Sequence, residues 1–242
     1  MESLRINFEE IKKVQNSEDI NNFLIKLSNK PSRDYFNFIE FFISNLEPKI
    51  LVKIKLNLIF TIGEIGKITP INQDFMNFLF NTYFTSDRWV RNEIIQTIGK
   101  ISNHSQLPEN IINLLENALN DEYIPIKQNA LKALLKLEEQ PNIRNLFQIL
   151  NSKEFELVEI GLEVLIKHLP SYTQLFDSLN TSENHNILKP KAIRALLLFN
   201  FRSIIDLESF HNLILQSTWS NDSKGKFLKE IEAYEKMLLK VI

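Results

Sequence analysis

The chain has 242 residues, of which 44% are hydrophobic and 24% are charged, a balance that excludes an intrinsically disordered protein. Its 28 basic and 30 acidic side chains leave a formal net charge of −2, which weakens any general case for binding nucleic acid or a membrane surface. The 5 glycines and 8 prolines are too few for an all-β protein rich in tight turns. Because there is no cysteine, disulfides, thiolate nucleophiles and cysteine-ligated metals are also excluded.

The N-terminal sequence MESLRINFEEIKKVQ is amphipathic and acidic, whereas a signal peptide needs a basic start and a long apolar run. No stretch approaches the roughly eighteen uninterrupted apolar residues of a membrane-spanning helix. We therefore expect a cytoplasmic protein with no membrane insertion.

In chain order, the sequence predicts pairs of amphipathic helices between an N-terminal flank, 1–30, and a C-terminal flank, 203–242. The first helices of the pairs are predicted over 35–46, 75–84, 111–119, 143–150 and 172–179. Each second helix has an apolar residue followed by apolar residues 4, 8 and 11 positions beyond it, and in four of the five a basic residue comes directly after the first. This spacing places the apolar residues on one helical face. The pattern starts at five residues: Ile54, Val90, Ile126, Val158 and Leu188.

The distance between these starting residues indicates an internal repeat. The first three are 36 residues apart, and the remaining two follow at 32 and 30. The phrase Thr-Ile-Gly recurs at 61–63 and 97–99, which is again a shift of 36. A pair of amphipathic helices cannot bury its apolar face alone, so we expect successive pairs to stack on a continuous core. The glycines at 63 and 66 are then expected where neighbouring helices approach closely.

Two segments carry a family resemblance: DRWVRNEIIQTIGKI at 87–101 and DEYIPIKQNALKALLKL at 121–137. They resemble the second helix of a HEAT repeat, and 48–65 matches mainly in its second half. The resemblance extends over 34–200. It implies an all-α fold, namely a curved right-handed α-solenoid of about five to seven antiparallel hairpins, with the second helices on the concave side.

The chain is accordingly predicted to be a single domain over 1–242. The two flanks are interpreted as capping helices or degenerate repeats, which are expected where a solenoid meets water. The polar segment 179–190 is the most loop-like and could form a hinge before the C-terminal part.

The basic residues of the repeated pattern form a column that Glu159 interrupts: Lys55, Arg91, Lys127 and Lys189. The family resemblance implies that such a base pairs with the acid that opens a neighbouring second helix, here Asp87 or Asp121. The column would then be a structural ladder. The alternative is a concave basic stripe, widened by Lys53 and Arg88, that binds an acidic partner at helix N-termini.

Trp89 is a candidate recognition residue because it is one of two tryptophans and lies between Arg88 and Arg91 at a predicted turn. The alternative is that Trp89 only fastens its own turn. Trp219 lies in the corresponding turn of the last helix pair, and this favours the alternative.

Three phenylalanines in the first part of the chain lie off the apolar stripe of their helices: Phe41, Phe80 and Phe84. They either contact the next helix pair or form an exposed apolar patch on the convex side, which would mark a protein interface. A homodimer through this patch is a further alternative.

The sequence therefore predicts a non-catalytic scaffold that binds a protein partner on the basic concave face or on the apolar patch. His104, His168, His185 and His211 share no metal-ligand spacing, so no catalytic residue, metal or cofactor is predicted.

Three alternatives come from other families of short helical-repeat proteins. The first is a DNA-binding protein or a glycosylase for alkylated bases, for which Arg88, Trp89, Arg91 and Glu93 supply suitable residue types but the net charge is unfavourable. The second is an array-type module that binds tubulin, to which only the turn SDRWVRNE is similar. The third, a lyase-like activity, has no supporting residue.

Overall fold

The computed structural model describes residues 2–137 and 142–239. Within these ranges all of the regular secondary structure is helical, with fourteen α-helices, two short 3-10 segments and no β-strand. The all-α prediction is thus confirmed. The chain divides into two compact units, Met1–Leu137 and Glu138–Ile242.

The first unit contains eight helices and a 3-10 segment at Arg33–Tyr35. The helices are α1 (Glu2–Val14), α2 (Ser17–Asn29), α3 (Phe36–Asn45), α4 (Pro48–Gly66), α5 (Gln73–Tyr83), α6 (Arg88–Ile101), α7 (Glu109–Ala118) and α8 (Ile124–Lys136). Each odd-numbered helix packs on the even-numbered helix that follows it. The helices α2, α4, α6 and α8 also pack on one another in that order, forming one row.

The second unit has six helices: α9 (Ile143–Ile149), α10 (Phe155–His168), α11 (Tyr172–Asn180), α12 (Pro190–Asn200), α13 (Ile204–Gln216) and α14 (Asn221–Leu238). Here α9 packs on α10 and α13 packs on α14, while α12 contacts both α10 and α14. The five predicted first helices correspond to α3, α5, α7, α9 and α11, with ends that differ by at most two residues.

The residues of the repeated pattern form the core of both units. The apolar residues of the pattern are buried, except for four that are half-buried: Val90, Leu137, Ile166 and Phe199. The flanks contain complete helix pairs, α1 with α2 and α13 with α14.

The repeated Thr-Ile-Gly phrase lies where α4 contacts α2 and where α6 contacts α4. The hydroxyl of Thr97 donates to the carbonyl of Ile59 on α4 at 3.1 Å. The Thr61 hydroxyl lies 3.3 Å from the carbonyl of Leu24 on α2 and 2.7 Å from that of Asn57 in its own helix. A side-chain carbon on Gly63 would come within 2.8 Å of the Thr97 hydroxyl oxygen. At the first copy, Gly63 and the buried Thr97 hydroxyl thus permit close packing of α4 on α6, whereas a side-chain carbon on Gly99 would make an ordinary contact of 3.6 Å with Ala133.

Replacing Thr97 with valine is expected to lower the free energy of unfolding by about 1 kcal/mol, because the side chain keeps its shape but loses its bond to Ile59. Thr61→Val is the matched comparison, and it should cost less, since the closest acceptor of that hydroxyl lies within α4. Thermal unfolding followed by circular dichroism measures both. Equal losses of stability in the two variants would contradict a special role for the bond between Thr97 and Ile59.

The polar segment 179–190 contains a 3-10 segment, Thr181–Asn186, within the second unit. Asn184 and His185 are buried there, and the His185 ring stacks on Trp219 with ring centres 4.2 Å apart. The division between the two units falls elsewhere, before Glu138.

Candidate functional site

An aromatic and arginine-containing cluster lies at the starts of α6 and α8, and we name it the turn cluster: Arg88, Trp89 and Tyr123. The Trp89 side chain is 56% exposed. The Trp89 and Tyr123 rings meet edge to face with centres 5.7 Å apart. The Arg88 guanidinium carbon lies 5.0 Å from the centre of the Trp89 ring and 5.4 Å from that of Tyr123. Both distances are within the range of a cation–π interaction.

Two aspartates build the turns that carry these aromatic residues. Asp87 caps α6, because its carboxylate accepts hydrogen bonds from the backbone N–H groups of Trp89 at 2.9 Å and Val90 at 3.1 Å. Asp121 accepts a bond of 2.9 Å from the N–H of Tyr123. In both turns the aspartate therefore fixes the backbone of the aromatic residue two positions further on.

Asp121 is also the acceptor for two side chains from neighbouring elements. Arg91 donates to it through Nε at 3.0 Å and through Nη2 at 3.2 Å, which makes the ion pair bidentate. The Tyr83 hydroxyl donates to the same carboxylate at 3.3 Å. Arg91 Nη1 donates to the backbone carbonyl of Ser86 at 3.1 Å. Asp121 thus joins the end of α5, the first turn of α6 and the turn before α8.

The ionisation of this network follows from its contacts. Burial acts to raise the pKa of Asp121, but the hydrogen bonds and charge of Arg91, with the Tyr123 N–H and the Tyr83 hydroxyl, outweigh it and lower that pKa. Burial and the negative charge of Asp121 raise the pKa of Tyr83 to about 12. At neutral pH the carboxylate is therefore charged and the phenol keeps the proton that it donates.

The basic column is a structural ladder at Arg91, as its pairing with Asp121 shows. The corresponding pair between Lys55 and Asp87 is not formed. Lys55 Nζ donates instead to the hydroxyl of Ser86 at 3.4 Å, since the Asp87 carboxylate turns back to cap α6. Sequence reasoning could identify both acids, but not which of them was already engaged by backbone N–H groups.

The remaining predicted cations lie in both units. In the first unit Lys53 and Arg88 are exposed and Lys127 is half-buried, and none of the three forms an ion pair with another described residue. In the second unit Lys189 is exposed, and its backbone N–H donates to Asn151 Oδ1 at 2.8 Å. Their binding role remains a prediction.

The three phenylalanines of the predicted apolar patch have different surroundings. Phe84 is exposed and its ring meets that of half-buried Phe80, with centres 5.2 Å apart. Phe41 is half-buried beneath α1, where its ring centre lies 5.4 Å from that of Phe8 and 5.1 Å from Lys12 Nζ. Of these three phenylalanines, Phe80 and Phe84 contact each other, and Phe84 is the one that is exposed.

The two tryptophans differ although they occupy corresponding turns. Trp219 is buried between the rings of His185 and Phe176, and its indole N–H donates to Asn180 Oδ1 at 3.0 Å. Trp219 therefore stabilises its own turn, which is the role that the alternative interpretation gives to Trp89. Trp89 is more than half exposed and has Tyr123 on one edge only.

Tyr123 was missed by sequence reasoning, although a signal for it exists. The segments 87–89 and 121–123 both have an aspartate, any residue and then an aromatic residue. The shared spacing reflects the same bond from the aspartate to the aromatic residue's N–H, although Trp89 is the second residue of α6 and Tyr123 is the N-cap of α8.

A second polar cluster lies on α4 and α6, where Lys100 Nζ contacts Glu64 at 3.1 Å and Glu93 at 3.4 Å. The same ammonium lies 4.4 Å from the centre of the Phe60 ring. Burial raises the pKa of Glu93, whereas for Glu64 the lysines outweigh burial and lower the pKa. The carboxylate of Glu93 is therefore engaged by Lys100 and is not part of the turn cluster.

No three histidine, aspartate or glutamate side chains of the described residues are placed to hold a metal ion together. None of the described helices combines the length and apolar character needed to cross a membrane. Comparison with models of known protein families and with curated proteins gives no match.

Proposed function

We propose that this chain is a helical-repeat protein of the HEAT type and that it acts as a scaffold, binding a protein partner through the turn cluster. The repeated apolar and basic pattern, together with the row formed by α2, α4, α6 and α8, supports the repeat assignment. The observation that carries the binding proposal is the exposed indole of Trp89, held beside Arg88 and Tyr123.

Tryptophan, tyrosine and arginine are the residues that most often dominate the free energy of protein association. In the turn cluster they are already ordered, because Asp87 and Asp121 fix the backbone that carries the two aromatic rings. A surface that is ordered before binding loses less conformational entropy when the partner docks. The exposed ring of Phe84 supplies further apolar area next to Tyr83.

The charge of the surrounding residues indicates an acidic partner. Asp121 neutralises Arg91, whereas Arg88, on the first turn of α6, and Lys127, on the first turn of α8, form no ion pair among the described residues. A partner segment with an apolar anchor next to acidic residues would match both features of this surface.

The test is a selection of peptides from a random library displayed on phage against the full chain, followed by calorimetric titration of the selected peptides. We expect acidic peptides with an aromatic or large aliphatic residue. Trp89→Ala should weaken their binding by about 30-fold, the effect of losing a residue worth about 2 kcal/mol at an interface. Arg88→Glu should weaken it as well, through charge repulsion.

Ile205→Ala is the control, since Ile205 is 74% exposed on α13 in the second unit and lies outside the turn cluster. Peptides that bind Trp89→Ala as tightly as the unaltered chain would contradict the proposal. A fluorescein-labelled DNA duplex tests the nucleic-acid alternative. Salt-sensitive binding of that duplex, lost on Arg88→Glu, would overturn the proposal in favour of that alternative.

A further inference from the structure

An apolar groove opens between α10 and α12 in the second unit. Val158 and Leu162 of α10 line one side, and Ala195 and Leu198 of α12 line the other. At its end the Phe155 side chain is 79% exposed, the largest exposure among the large apolar residues described. The groove has a volume of about 200 Å³. Because pockets for drug-sized ligands and cofactors span about 300–1,000 Å³, this one is better matched to one or two side chains of a partner.

The two rims of the groove carry opposite charges. Glu159 lies on the α10 side and Lys191 on the α12 side, both exposed. Neither forms an ion pair with another described residue, and Glu159 is the acid that interrupts the basic column of the repeat. An occupant with a basic residue on one flank and an acidic residue on the other would satisfy both rims.

We infer that this groove binds one amphipathic helix of a partner protein, with an apolar side chain in the groove, a basic residue against Glu159 and an acidic residue against Lys191. The walls of the groove are helices, whose backbone groups are bonded internally, so an extended strand would find no free backbone partners there. A helix brings its own satisfied backbone and presents its apolar residues along one stripe. This site lies in the second unit and can succeed or fail independently of the turn cluster.

Three synthetic helical peptides with the same leucine stripe test the inference. One has lysine on one flank and glutamate on the other, the second has lysine on both, and the third has glutamate on both. Each is titrated into the full chain with methyl-labelled Val and Leu residues, and the NMR shifts of Val158, Leu162 and Leu198 are followed. The mixed peptide should bind about tenfold more tightly than either of the others, as expected for one opposed charge pair.

Charge variants of the chain should exchange these preferences. Glu159→Lys makes both rims basic and should favour the peptide with glutamate on both flanks. Lys191→Glu should favour the peptide with lysine on both flanks. Leu198→Asp should abolish the shifts, whereas Ile205→Asp, a comparable change at an exposed residue of α13, should leave them unchanged.

Three results would overturn the inference. The first is the absence of shifts at Val158, Leu162 and Leu198 with every peptide. The second is equal binding of all three peptides, since the charges of Glu159 and Lys191 would then have no effect on affinity. The third is self-association of the chain in sedimentation that Leu198→Asp abolishes, because the groove would then be covered by a second copy.

Discussion

Replacing Asp121 with alanine is expected to lower the free energy of unfolding by about 3 kcal/mol at neutral pH. The change leaves the half-buried guanidinium of Arg91 without its bidentate partner, and removes the acceptor of the Tyr83 hydroxyl and of the Tyr123 N–H. Loss of one member of a buried ion pair typically costs about 3–5 kcal/mol, and partial exposure of Arg91 places this site at the lower end. Chemical denaturation followed by circular dichroism measures the change.

Asp87→Ala is the matched control in the preceding turn. Asp87 accepts only backbone N–H bonds in the structure, so its loss should cost about 1 kcal/mol, the usual value for an N-cap. Equal effects at Asp87 and Asp121 would contradict the role assigned to the Asp121 network.

The effect of Asp121 should also depend on pH. Its pKa in the folded chain lies below its ordinary value, so its contribution to stability is complete above that ordinary value, about 4, and is lost as the pH falls through the folded pKa. The difference in stability between the unaltered chain and Asp121→Asn should accordingly shrink below about pH 4. A difference that stays constant down to about pH 2 would show that the charge of Asp121 is not what stabilises the turn.

Two glycine substitutions are expected to change stability in opposite directions. A side-chain carbon on Gly66 would overlap Cγ2 of Ile101, so Gly66→Ala should lower the free energy of unfolding by about 2 kcal/mol through overpacking between α4 and α6. Gly225 lies within α14 with no atom within 4 Å of such a carbon. Gly225→Ala should raise the free energy of unfolding by about 1 kcal/mol, because alanine is the better helix former.

Thermal unfolding of the two variants distinguishes close packing from simple helix propensity. If propensity alone decided both positions, Gly66→Ala would also stabilise the chain. A stabilising effect at Gly66 would contradict the close approach of α4 to α6 at Gly66 and Ile101.

The helices could be predicted because their apolar residues follow the period of an α-helix, and this signal lies within each segment. Ile54 and Ile126, for example, begin apolar stripes that are buried in α4 and α8. The ion pair of Arg91 with Asp121 was within reach for another reason, since the resemblance to HEAT repeats implies that such a base pairs with an acid that opens a neighbouring second helix. Whether a base pairs with a given carboxylate depends on the other donors near that carboxylate. Asp87 accepts from backbone N–H groups, and Lys55 donates to Ser86 instead.

Contacts made by residues outside the repeated pattern could not be predicted. Phe41 lies off the stripe of α3, but whether it is exposed depends on α1, which places Phe8 and Lys12 against it. The difference in exposure between Trp89 and Trp219 has the same origin. Asn180 of α11 and His185 of the 3-10 segment contact the indole of Trp219 and help to bury it. The groove beside Phe155 depends on the separation of α10 and α12, which no local pattern encodes.

The most direct test of the central proposal is site-specific photo-crosslinking in cells that express the chain. A photoreactive phenylalanine analogue replaces the exposed Phe84, which lies between α5 and α6, four residues before Arg88 of the turn cluster. A second version carries the analogue at Ile205, which is also exposed, as a control. The proposal predicts a discrete protein crosslinked from position 84 that disappears on Arg88→Glu and is absent from position 205. The same crosslinked proteins from both positions, unaffected by Arg88→Glu, would contradict a partner-binding role for the turn cluster.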